Sequence, residues 1–359
     1  MVFSGCAERS VDNVIRVDVD ADATAEIVPR VEVSKVIALA GDVPVGEVRK
    51  TIARGGRYYL LSKTDNAIVC FDGDGGFVFR IAADGRGPQE YSGLTNFFID
   101  ETDGELKVLA MNGDIVSFSP DDGRFVGRES TGYMMLNDGF AIDDRMTALS
   151  IMGPEWNVEI RRAGVAEFHL PFNEMRDFVI SKKMFARHGR EVFHVYGQDD
   201  NIYVLPSEAG AEPRVAYAVD FGPARVAPEL YADGSGAAVM GRQEAADFAS
   251  KIDDLGVTRD HVAFSYLFFG VDGSMATRNV IYDRRGGVAY NFLRGDFYLL
   301  PVADAFDGGF FSVVHPVRIL DADAAVGSGA AQIPDVTRAL QAAGVVEDDN
   351  PVVVHWKLK

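Results

Sequence analysis

The sequence predicts an all-β protein, a six-bladed β-propeller with short helical insertions in its late blades. Three observations lead to this prediction: an order of strands and turns that repeats, strands that are apolar on both faces, and strand-like chain ends. Repeats of roughly 40–60 residues with four short strands each are typical of propellers, in which one repeat forms one blade. The repeats begin near residues 48, 94, 139, 192, 261 and 305.

The first two repeats are the clearest. The segment from Gly56 has three short apolar runs separated by KTDN and DGDGG, and the segment from Gly104 repeats this order with Asn-Gly and Asp-Asp-Gly turns. Such residues favour tight turns between antiparallel strands. Weaker copies begin near Arg145, Asn201, His261 and Gly309.

The strands and the chain ends support closure into a ring. The runs RYYLL, AIVCF and FVFRI have apolar residues at both odd and even strand positions, as expected when each sheet is covered on both faces by its neighbours. NVIRVDV near the N-terminus and NPVVVHWKLK at the C-terminus are strand-like and are predicted to share the last blade, which removes an exposed sheet edge. We assign residues 13–359 to one propeller domain and residues 1–12 to a lipoprotein-type leader remnant and linker.

Two stretches have helical rather than strand-like spacing. The stretch from Gly241 places four apolar residues on one helical face, namely Ala245, Phe248, Ala249 and Ile252. The stretch from Ile333 has Pro334 in its first turn and Gly344 beyond its end, which are the usual positions of these residues in a helix. Both are predicted to be insertions in the late blades.

Composition and charge exclude several classes of protein. Hydrophobic residues make up 47% of the chain, which is enough for a large packed core. The formal net charge of −19 disfavours nucleic acid as a partner, because nucleic-acid affinity depends on clustered Lys and Arg. The sequence has no apolar run of roughly 18 residues, the length needed to span a bilayer. Any membrane attachment would therefore be through a lipid anchor, and we expect a monomer.

The two cysteines have different predicted roles. Cys70 lies in an apolar strand and is predicted to be a small core residue. Cys6 follows VFSG, and small residues directly before a cysteine near the N-terminus resemble the lipobox of bacterial lipoproteins. That resemblance implies lipidation of Cys6 and a location in the periplasm or at the outer membrane, although Phe3 departs from the pattern.

The stretch GRGPQEY at residues 85–91 carries the most specific family resemblance. It resembles the GxGPxEY signature that follows the first blade in bacterial six-bladed β-propeller lipoproteins, an NHL-like group that is largely uncharacterised. VIYDRRGG from Val280, DGGFFSVV from Asp307 and the C-terminal strand agree in order with that family. The resemblance implies an exported, lipid-anchored propeller and implies little about activity.

The same loop is the first candidate binding site. It is predicted to connect two blades near the central channel, where it would offer donors, a carboxylate and an aromatic ring from Arg86, Gln89, Glu90 and Tyr91. The alternative is structural: Arg86 and Glu90 would pair with each other or with backbone, and Tyr91 would pack between the blades.

Other candidate sites are weaker. Trp156, Tyr196 and Tyr266 lie near predicted strand ends and could stack on a sugar ring, although aromatic residues also serve as core in propellers. The six histidines, at 169, 188, 194, 261, 315 and 355, lack the spacing of a local zinc site. No catalytic motif or metal site is predicted and no cofactor is required, but calcium bound in the channel by several blades is left open.

Three functions remain open from the sequence. The first is a cell-envelope propeller that binds a glycan, a peptide or a partner protein on the channel face. The second is a metal-assisted hydrolase or lyase that acts on a sugar or lactone in the channel. The third is a structural scaffold lipoprotein, which would expose a large apolar patch.

Overall fold

The fold is a six-bladed β-propeller. The computed structural model describes residues 13–153, 155–177, 180–226, 246–293, 297–306, 308–320 and 333–359. Within these residues the strands form six sheets, of which five have four strands and one has five. Each sheet is one blade, as the repeats in the sequence predict.

The elements follow the chain in order. The N-terminal segment contains β1 (Val14–Arg16), α1 (Thr24–Ile27), a 3-10 turn (Val28–Arg30) and β2 (Val31–Ala38). Blade 1 contains β3 (Val48–Arg54), β4 (Arg57–Ser62), β5 (Ala67–Asp72) and β6 (Phe77–Ile81). Blade 2 contains β7 (Leu94–Ile99), β8 (Leu106–Ala110), β9 (Asp114–Phe118) and β10 (Phe125–Ser130). Blade 3 contains β11 (Met135–Asp143), β12 (Met146–Met152), β13 (Trp156–Arg162) and β14 (Val165–Pro171).

The second half of the chain completes the ring. Helix α2 (Glu174–Asp177) precedes blade 4, which contains β15 (Phe185–His188), β16 (Glu191–His194), β17 (Asn201–Val204) and β18 (Arg214–Asp220). After a 3-10 turn (Gly222–Ala224), blade 5 contains β19 (Phe248–Val257), β20 (His261–Phe269), β21 (Met275–Asp283) and β22 (Val288–Phe292). Blade 6 contains β23 (Asp304–Phe306), β24 (Gly309–Val314) and β25 (Val352–Leu358), with α3 (Val317–Leu320) and α4 (Pro334–Ala342) inserted before the last strand.

The first strand of each blade faces the central channel. Contacts between blades connect β7 with β11, β11 with β15, β15 with β19, β19 with β23 and β23 with β3. The middle strands β4, β5, β8 and β9 are buried along almost their whole length, because neighbouring blades cover both faces of each sheet. The outer strand β10 is largely exposed. The channel is therefore built by the innermost strands.

The chain ends close the ring, but with a different N-terminal strand from the one predicted. Strand β25 pairs with β24 on one side and with β2 on the other, with Val354 opposite Val36. The predicted partner, NVIRVDV, instead forms β1 and adds a parallel fifth strand to blade 4, with Val14 opposite Ala218. Both segments are short and apolar, so the sequence alone could not distinguish which of them reaches the last blade.

The predicted helix from Gly241 is wrong over the residues that the structure describes. Residues 241–245 lie outside them, and Phe248–Val257 form strand β19, so blade 5 begins at Phe248 rather than near residue 261. The register of β19 shifts twice, between Ser250 and Asp253 and between Asp253 and Gly256. Extra residues in a strand break the alternation of apolar side chains, and the resulting spacing imitates a helix.

The second predicted helix is confirmed. It is α4, with Pro334 in its first turn and Gly344 just beyond its end at a φ of 70°. Glycine adopts this left-handed conformation without steric cost and commonly ends helices. Val336 and Leu340 on one face of α4 are buried in the core beside Trp356 of the closing strand.

Candidate functional site

The central channel contains two cavities that meet at a layer of ion pairs. One cavity, of about 440 Å³, lies where the innermost strands of blades 1, 4 and 6 begin, and we call it the mouth cavity. The other, of about 280 Å³, lies further along the same strands, and we call it the far cavity. Lys50, Thr51 and Lys183 line both, so the two cavities are separated only by this level of the channel.

The first ion pair of this layer joins Lys50 of blade 1 to Asp138 of blade 3. Lys50 Nζ lies 2.5 Å from Asp138 Oδ1 and also donates to the Phe97 carbonyl of blade 2 at 3.0 Å. The Asp138 carboxylate accepts from the backbone N–H groups of Met184, at 2.9 Å, and Gly139, at 2.8 Å. Burial raises the pKa of Asp138, and the Lys50 charge opposes that rise.

A second ion pair joins blades 4 and 6. Lys183 Nζ lies 2.8 Å from Asp304 Oδ1, and the same oxygen accepts the Ala305 N–H at 2.9 Å. The Lys183 side chain is 7% exposed and that of Asp304 is 31% exposed. This pair therefore lies at the edge of the buried layer, whereas Lys50 and Asp138 lie inside it.

A distorted stretch of β19 fixes the chain that carries Lys182 and Lys183. The Asp253 carboxylate accepts from three backbone N–H groups, those of Lys182 at 2.9 Å and of Lys183 and Asp254 at 3.0 Å. Lys251 and Asp254 have left-handed φ angles of 58° and 52°, which non-glycine residues rarely adopt. Backbone strain of this kind is concentrated at functional sites.

Asp254 presents a buried carboxyl group to the mouth cavity. Its side chain lines the cavity, and its Oδ2 accepts the Ser265 hydroxyl at 2.7 Å. Burial, and then the neighbouring Asp253 charge, raise the pKa of Asp254, while the lysines at 182 and 183 oppose the rise. The two adjacent aspartates thus have different environments, because only the Asp253 carboxylate is held by three backbone donors.

The mouth cavity is lined by more basic than acidic residues, in a chain whose net charge is −19. Its acidic residues are Asp254 and Glu47, and Glu47 pairs with Lys63. Arg49 and Lys182 line it, and within the described part of the chain neither has a carboxylate at ion-pair distance. Among the described residues, Arg49 donates to the Ser181 carbonyl alone, at 3.3 Å. His315 and Arg318 from the end of blade 6 also line the cavity. Arg49 is half-buried, so an anion beside it would interact more strongly than in water, whereas Lys182 is exposed and its charge is more strongly screened.

The far cavity differs from the mouth cavity in that its arginines are paired with a carboxylate. Glu101 bridges Arg54, at 3.0 Å, and Arg187, at 3.8 Å. The Arg187 guanidinium lies over the Phe140 ring at 5.4 Å, and Phe140 stacks on Phe185. Its arginines therefore already have a carboxylate partner, unlike Arg49 and Lys182 in the mouth cavity.

The loop GRGPQEY joins blade 1 to blade 2 and lines neither channel cavity. Tyr91 is fully buried, and its hydroxyl donates to the Asn66 carbonyl at 2.7 Å. Glu90 accepts the Gly87 N–H at 2.7 Å, and Arg128 of β10 donates to the Gly87 and Glu90 carbonyls. These contacts are those of a structural connection between blades.

The exposed residues of this loop stay a prediction as binding residues. Arg86 and Gln89 are exposed. Among the residues that the structure describes, Arg86 makes no ion pair, so the Arg86–Glu90 pair considered from the sequence is not formed there.

The predicted aromatic residues lie largely in the core. Tyr266 is buried against Phe221 and donates to Asn291 Oδ1 at 2.9 Å. Tyr196 is buried, with its hydroxyl donating to Asp199 Oδ2 at 3.2 Å. Trp156 is half-buried at the start of β13. Sugar stacking by these rings stays a prediction, and the burial of the two tyrosines favours the packing role that the sequence also allowed.

The surroundings of Cys70 and His194 can be compared with the roles predicted for the cysteines and histidines. Cys70 is fully buried, as predicted for a core residue, and burial raises the pKa of its thiol to about 12. Cys6 lies outside the described residues. His194 is buried between Phe185 and Tyr196, and burial lowers its pKa to about 3, which keeps the ring neutral.

The described residues contain no group of three or more His, Cys, Asp or Glu placed to hold a metal ion. Within the same part of the chain, no helix combines the length and the apolar character that crossing a membrane requires.

The sequence analysis missed the residues of the mouth cavity. Arg49 and Lys50 are adjacent in the chain and lie in β3, and Lys182 and Lys183 are adjacent and lie just before β15. Two basic pairs in an acidic chain, each near the start of an innermost strand, were the available signal. Only the fold shows that the two pairs meet in one cavity.

Comparisons with known proteins agree with this architecture. A family model described as a 6-bladed beta-propeller matches residues 7–143, which include all of blades 1 and 2 and the first strand of blade 3. A "Putative exported protein" from Bacteroides fragilis NCTC 9343 is 15% identical, with a TM-score of 0.72 over 96% of this chain and 99% of that one. A member of the duf4221 family from Bacteroides vulgatus ATCC 8482 is 10% identical, with a TM-score of 0.52 over 92% of this chain and 99% of that one.

No curated protein matches the chain significantly. The solved structures are too distant in sequence to indicate more than the fold. Sheet topology, the family model and both structural similarities agree, and the chain is a six-bladed β-propeller.

Proposed function

We propose that this chain is an exported propeller of the bacterial cell envelope that binds an anionic ligand in the mouth cavity. The observation that carries the proposal is the pair of cations, Arg49 and Lys182, that line this cavity without a carboxylate partner among the described residues. In a chain of net charge −19, such a concentration of positive charge is a local feature and not a consequence of composition.

Export and anchoring form the second part of the proposal. The similar Bacteroides fragilis protein is described as exported, and Cys6 follows a lipobox-like sequence. A lipid on Cys6 would hold the propeller at the periplasmic side of a membrane and leave the channel open to ligands. Mass spectrometry of the protein purified from its native membrane tests this directly: a diacyl- or triacyl-modified N-terminal peptide is expected, and an unmodified Cys6 thiol would contradict it.

Binding is tested by calorimetric titration with three anionic probes, phosphate, galacturonate and N-acetyl-leucine. At least one is expected to bind, and Lys182→Gln and Arg49→Gln are each expected to weaken it about 10- to 150-fold, the usual effect of losing a hydrogen bond to a charged group. Lys357→Gln is the matched control, because Lys357 is exposed and pairs with Glu32 outside the cavity. Absence of binding by all three probes, or equal weakening by the control, would refute the proposal.

A further inference from the structure

We infer that the ligand of the mouth cavity is a carboxylate joined to a short aliphatic body, either a free aliphatic acid or the C-terminal residue of a peptide. The inference rests on the proposed function and narrows it to one chemical class. It is carried by three parts of the cavity: a cationic side, a buried hydroxyl without a partner, and an aliphatic wall.

Arg49 is oriented before a ligand arrives, and the backbone that carries the exposed Lys182 is fixed. Arg49 is half-buried and its guanidinium donates to the Ser181 carbonyl, which restricts its orientation. The backbone at Lys182 is fixed by the Asp253 carboxylate. A guanidinium presents several N–H groups in one plane and matches the two oxygens of a carboxylate. A phosphate matches the same plane of donors, so this side selects an oxyanion, and it is the aliphatic wall that favours a carboxylate joined to an apolar body.

The buried hydroxyl belongs to Thr51. Thr51 lines both cavities at the level that separates them, the residue is 2% exposed, and its buried Oγ1 has no hydrogen-bond partner among the described residues. Buried polar groups in folded proteins nearly always have a partner. A ligand oxygen, or a water that the ligand holds, would supply it, and this places a polar atom of the ligand next to the ion-pair layer at Lys50.

The remaining wall is aliphatic and not aromatic. Its accessible part is formed by Val48 of blade 1 and by Pro301, Ala303 and Val313 of blade 6, which are half-buried or exposed. Leu300, Val302, Val314 and the aromatic Tyr298 also line the cavity, but each is at most 4% exposed. Sugars are bound largely by stacking on exposed aromatic rings, and this wall offers none. It suits branched or straight aliphatic groups, whose burial is favourable.

Size limits the aliphatic body. The cavity volume of about 440 Å³ is near the lower end of the range of ligand pockets, about 300–1,000 Å³. It can enclose one terminal residue or a short acid, and a longer chain would have to continue out of the mouth. A peptide can do this, because its preceding residues leave from the α-amino side, away from the carboxylate.

The test compares matched ligands by calorimetry on the whole chain. The probes are 4-methylpentanoate, N-acetyl-leucine, acetyl-Ala-Ala-Leu with a free C-terminal carboxylate, the same peptide as its C-terminal amide, galacturonate and phosphate. The free acids are expected to bind at least 10-fold more tightly than the amide and than galacturonate. If the peptide acid binds more tightly than N-acetyl-leucine, the natural ligand is a peptide C-terminus. If all three acids bind with equal affinity, the natural ligand is a free aliphatic acid.

Two substitutions distinguish the contribution of the aliphatic wall to binding from that of the cations. Val48→Thr keeps the shape and strand preference of valine but places a hydroxyl on the wall, so it should weaken 4-methylpentanoate about 3- to 10-fold. Lys182→Gln should weaken every acid. Val78→Thr, at a half-buried strand position outside the cavity, is the control and should change no affinity. Equal melting temperatures of Val48→Thr and Val78→Thr would show that folding is not the cause.

Two outcomes would overturn the inference. If the peptide amide binds as tightly as the acid, the carboxylate is not recognised. If galacturonate or phosphate binds and the aliphatic acids do not, the aliphatic wall has been misinterpreted, while the proposed anion-binding function stands. Failure of every anionic probe would refute both proposals together.

Discussion

Lys50 and Asp138 form a buried ion pair in the channel, with Nζ 2.5 Å from Oδ1 and side chains that are 6% and 1% exposed. The pair joins β3 of blade 1 to β11 of blade 3, and Lys50 also donates to the Phe97 carbonyl of blade 2. Three blades therefore meet at one ammonium group. Because each charge is buried, neither can lose its partner without leaving the other uncompensated.

The first prediction follows from this pair. Asp138→Asn is expected to lower the free energy of unfolding by about 3–5 kcal/mol, because the Lys50 charge stays buried without a counter-charge. Glu191→Gln is the control: its side chain is 44% exposed and that of its partner Arg214 is 59% exposed, so loss of this pair should cost less than about 1 kcal/mol. Urea unfolding measures both. A similar cost for the two variants would show that the channel pair is solvated.

The second prediction distinguishes the two roles of the GRGPQEY loop. Tyr91→Phe is expected to cost about 1–3 kcal/mol of stability, because it removes the hydroxyl that donates to the buried Asn66 carbonyl and accepts the Ala83 N–H at 3.2 Å. Arg86→Ala, in the same loop but exposed, should change stability by no more than about 0.5 kcal/mol. Thermal denaturation checks both, and a larger loss in Arg86→Ala would assign it a structural role.

The fold could be predicted from the sequence where local patterns carry the information. The middle strands of blades 1 and 2 are apolar on both faces and bounded by turn residues, and both features are set by nearest neighbours in the chain. Strand β19 could not be predicted, because two bulges give Phe248, Ala249 and Ile252 a helical spacing. The closing strand was also assigned to the wrong N-terminal segment, since pairing across 300 or more residues leaves no local signal.

The candidate site was predictable only in part for the same reason. The GRGPQEY loop is contiguous and was found as a motif, whereas the mouth cavity gathers Arg49, Lys182 and Asp254 from three blades. Each of these residues is unremarkable in its own segment. They lie close together because the blades close into a ring. The sequence predicts that ring, but it does not predict the distances between residues of different blades.

The third prediction concerns pH. Burial raises the pKa of Asp200 to about 7, although its pairing with Arg225 at 3.0 Å opposes the rise. A carboxyl with a raised pKa binds its proton more tightly in the folded state, so its contribution to stability is full below about pH 4 and is lost as the pH rises to about 7. Asp200→Asn is therefore expected to flatten the fall in urea midpoint between pH 5 and pH 8.

Asp121→Asn is the control for this pH dependence, because Asp121 is 88% exposed and should leave the slope unchanged. In Asp200→Asn the urea midpoint should still fall with rising pH, since burial also raises the pKa values of Asp138, Asp199 and Asp254. A variant slope equal to that of the unchanged protein would mean that Asp200 is ionised throughout this range.

The fourth prediction tests how the distorted strand serves the site. Asp253 contacts no ligand in our proposal and acts by positioning, because its two oxygens hold the N–H groups of Lys182, Lys183 and Asp254. Oδ1 accepts all three N–H groups and Oδ2 also accepts that of Lys182. In Asp253→Asn an amide nitrogen, which cannot accept, either replaces Oδ2 and opposes the Lys182 N–H, or replaces Oδ1 and leaves the Lys183 and Asp254 N–H groups without an acceptor. Hydrogen exchange of the peptide covering residues 181–184 should become at least 10-fold faster, and the affinity for anionic probes should fall.

Asp260→Asn is the matched control, because Asp260 lies in the same blade but pairs with Arg285, whose side chain is 67% exposed. The two readouts separate positioning from general destabilisation: faster exchange confined to residues 181–184 indicates a local effect, whereas faster exchange throughout blade 4 indicates unfolding. If exchange at 181–184 is faster and anion affinity is unchanged, Lys182 is not part of the binding site. If neither changes, the Asp253 carboxylate does not hold this segment, and the strain at Lys251 and Asp254 has another cause.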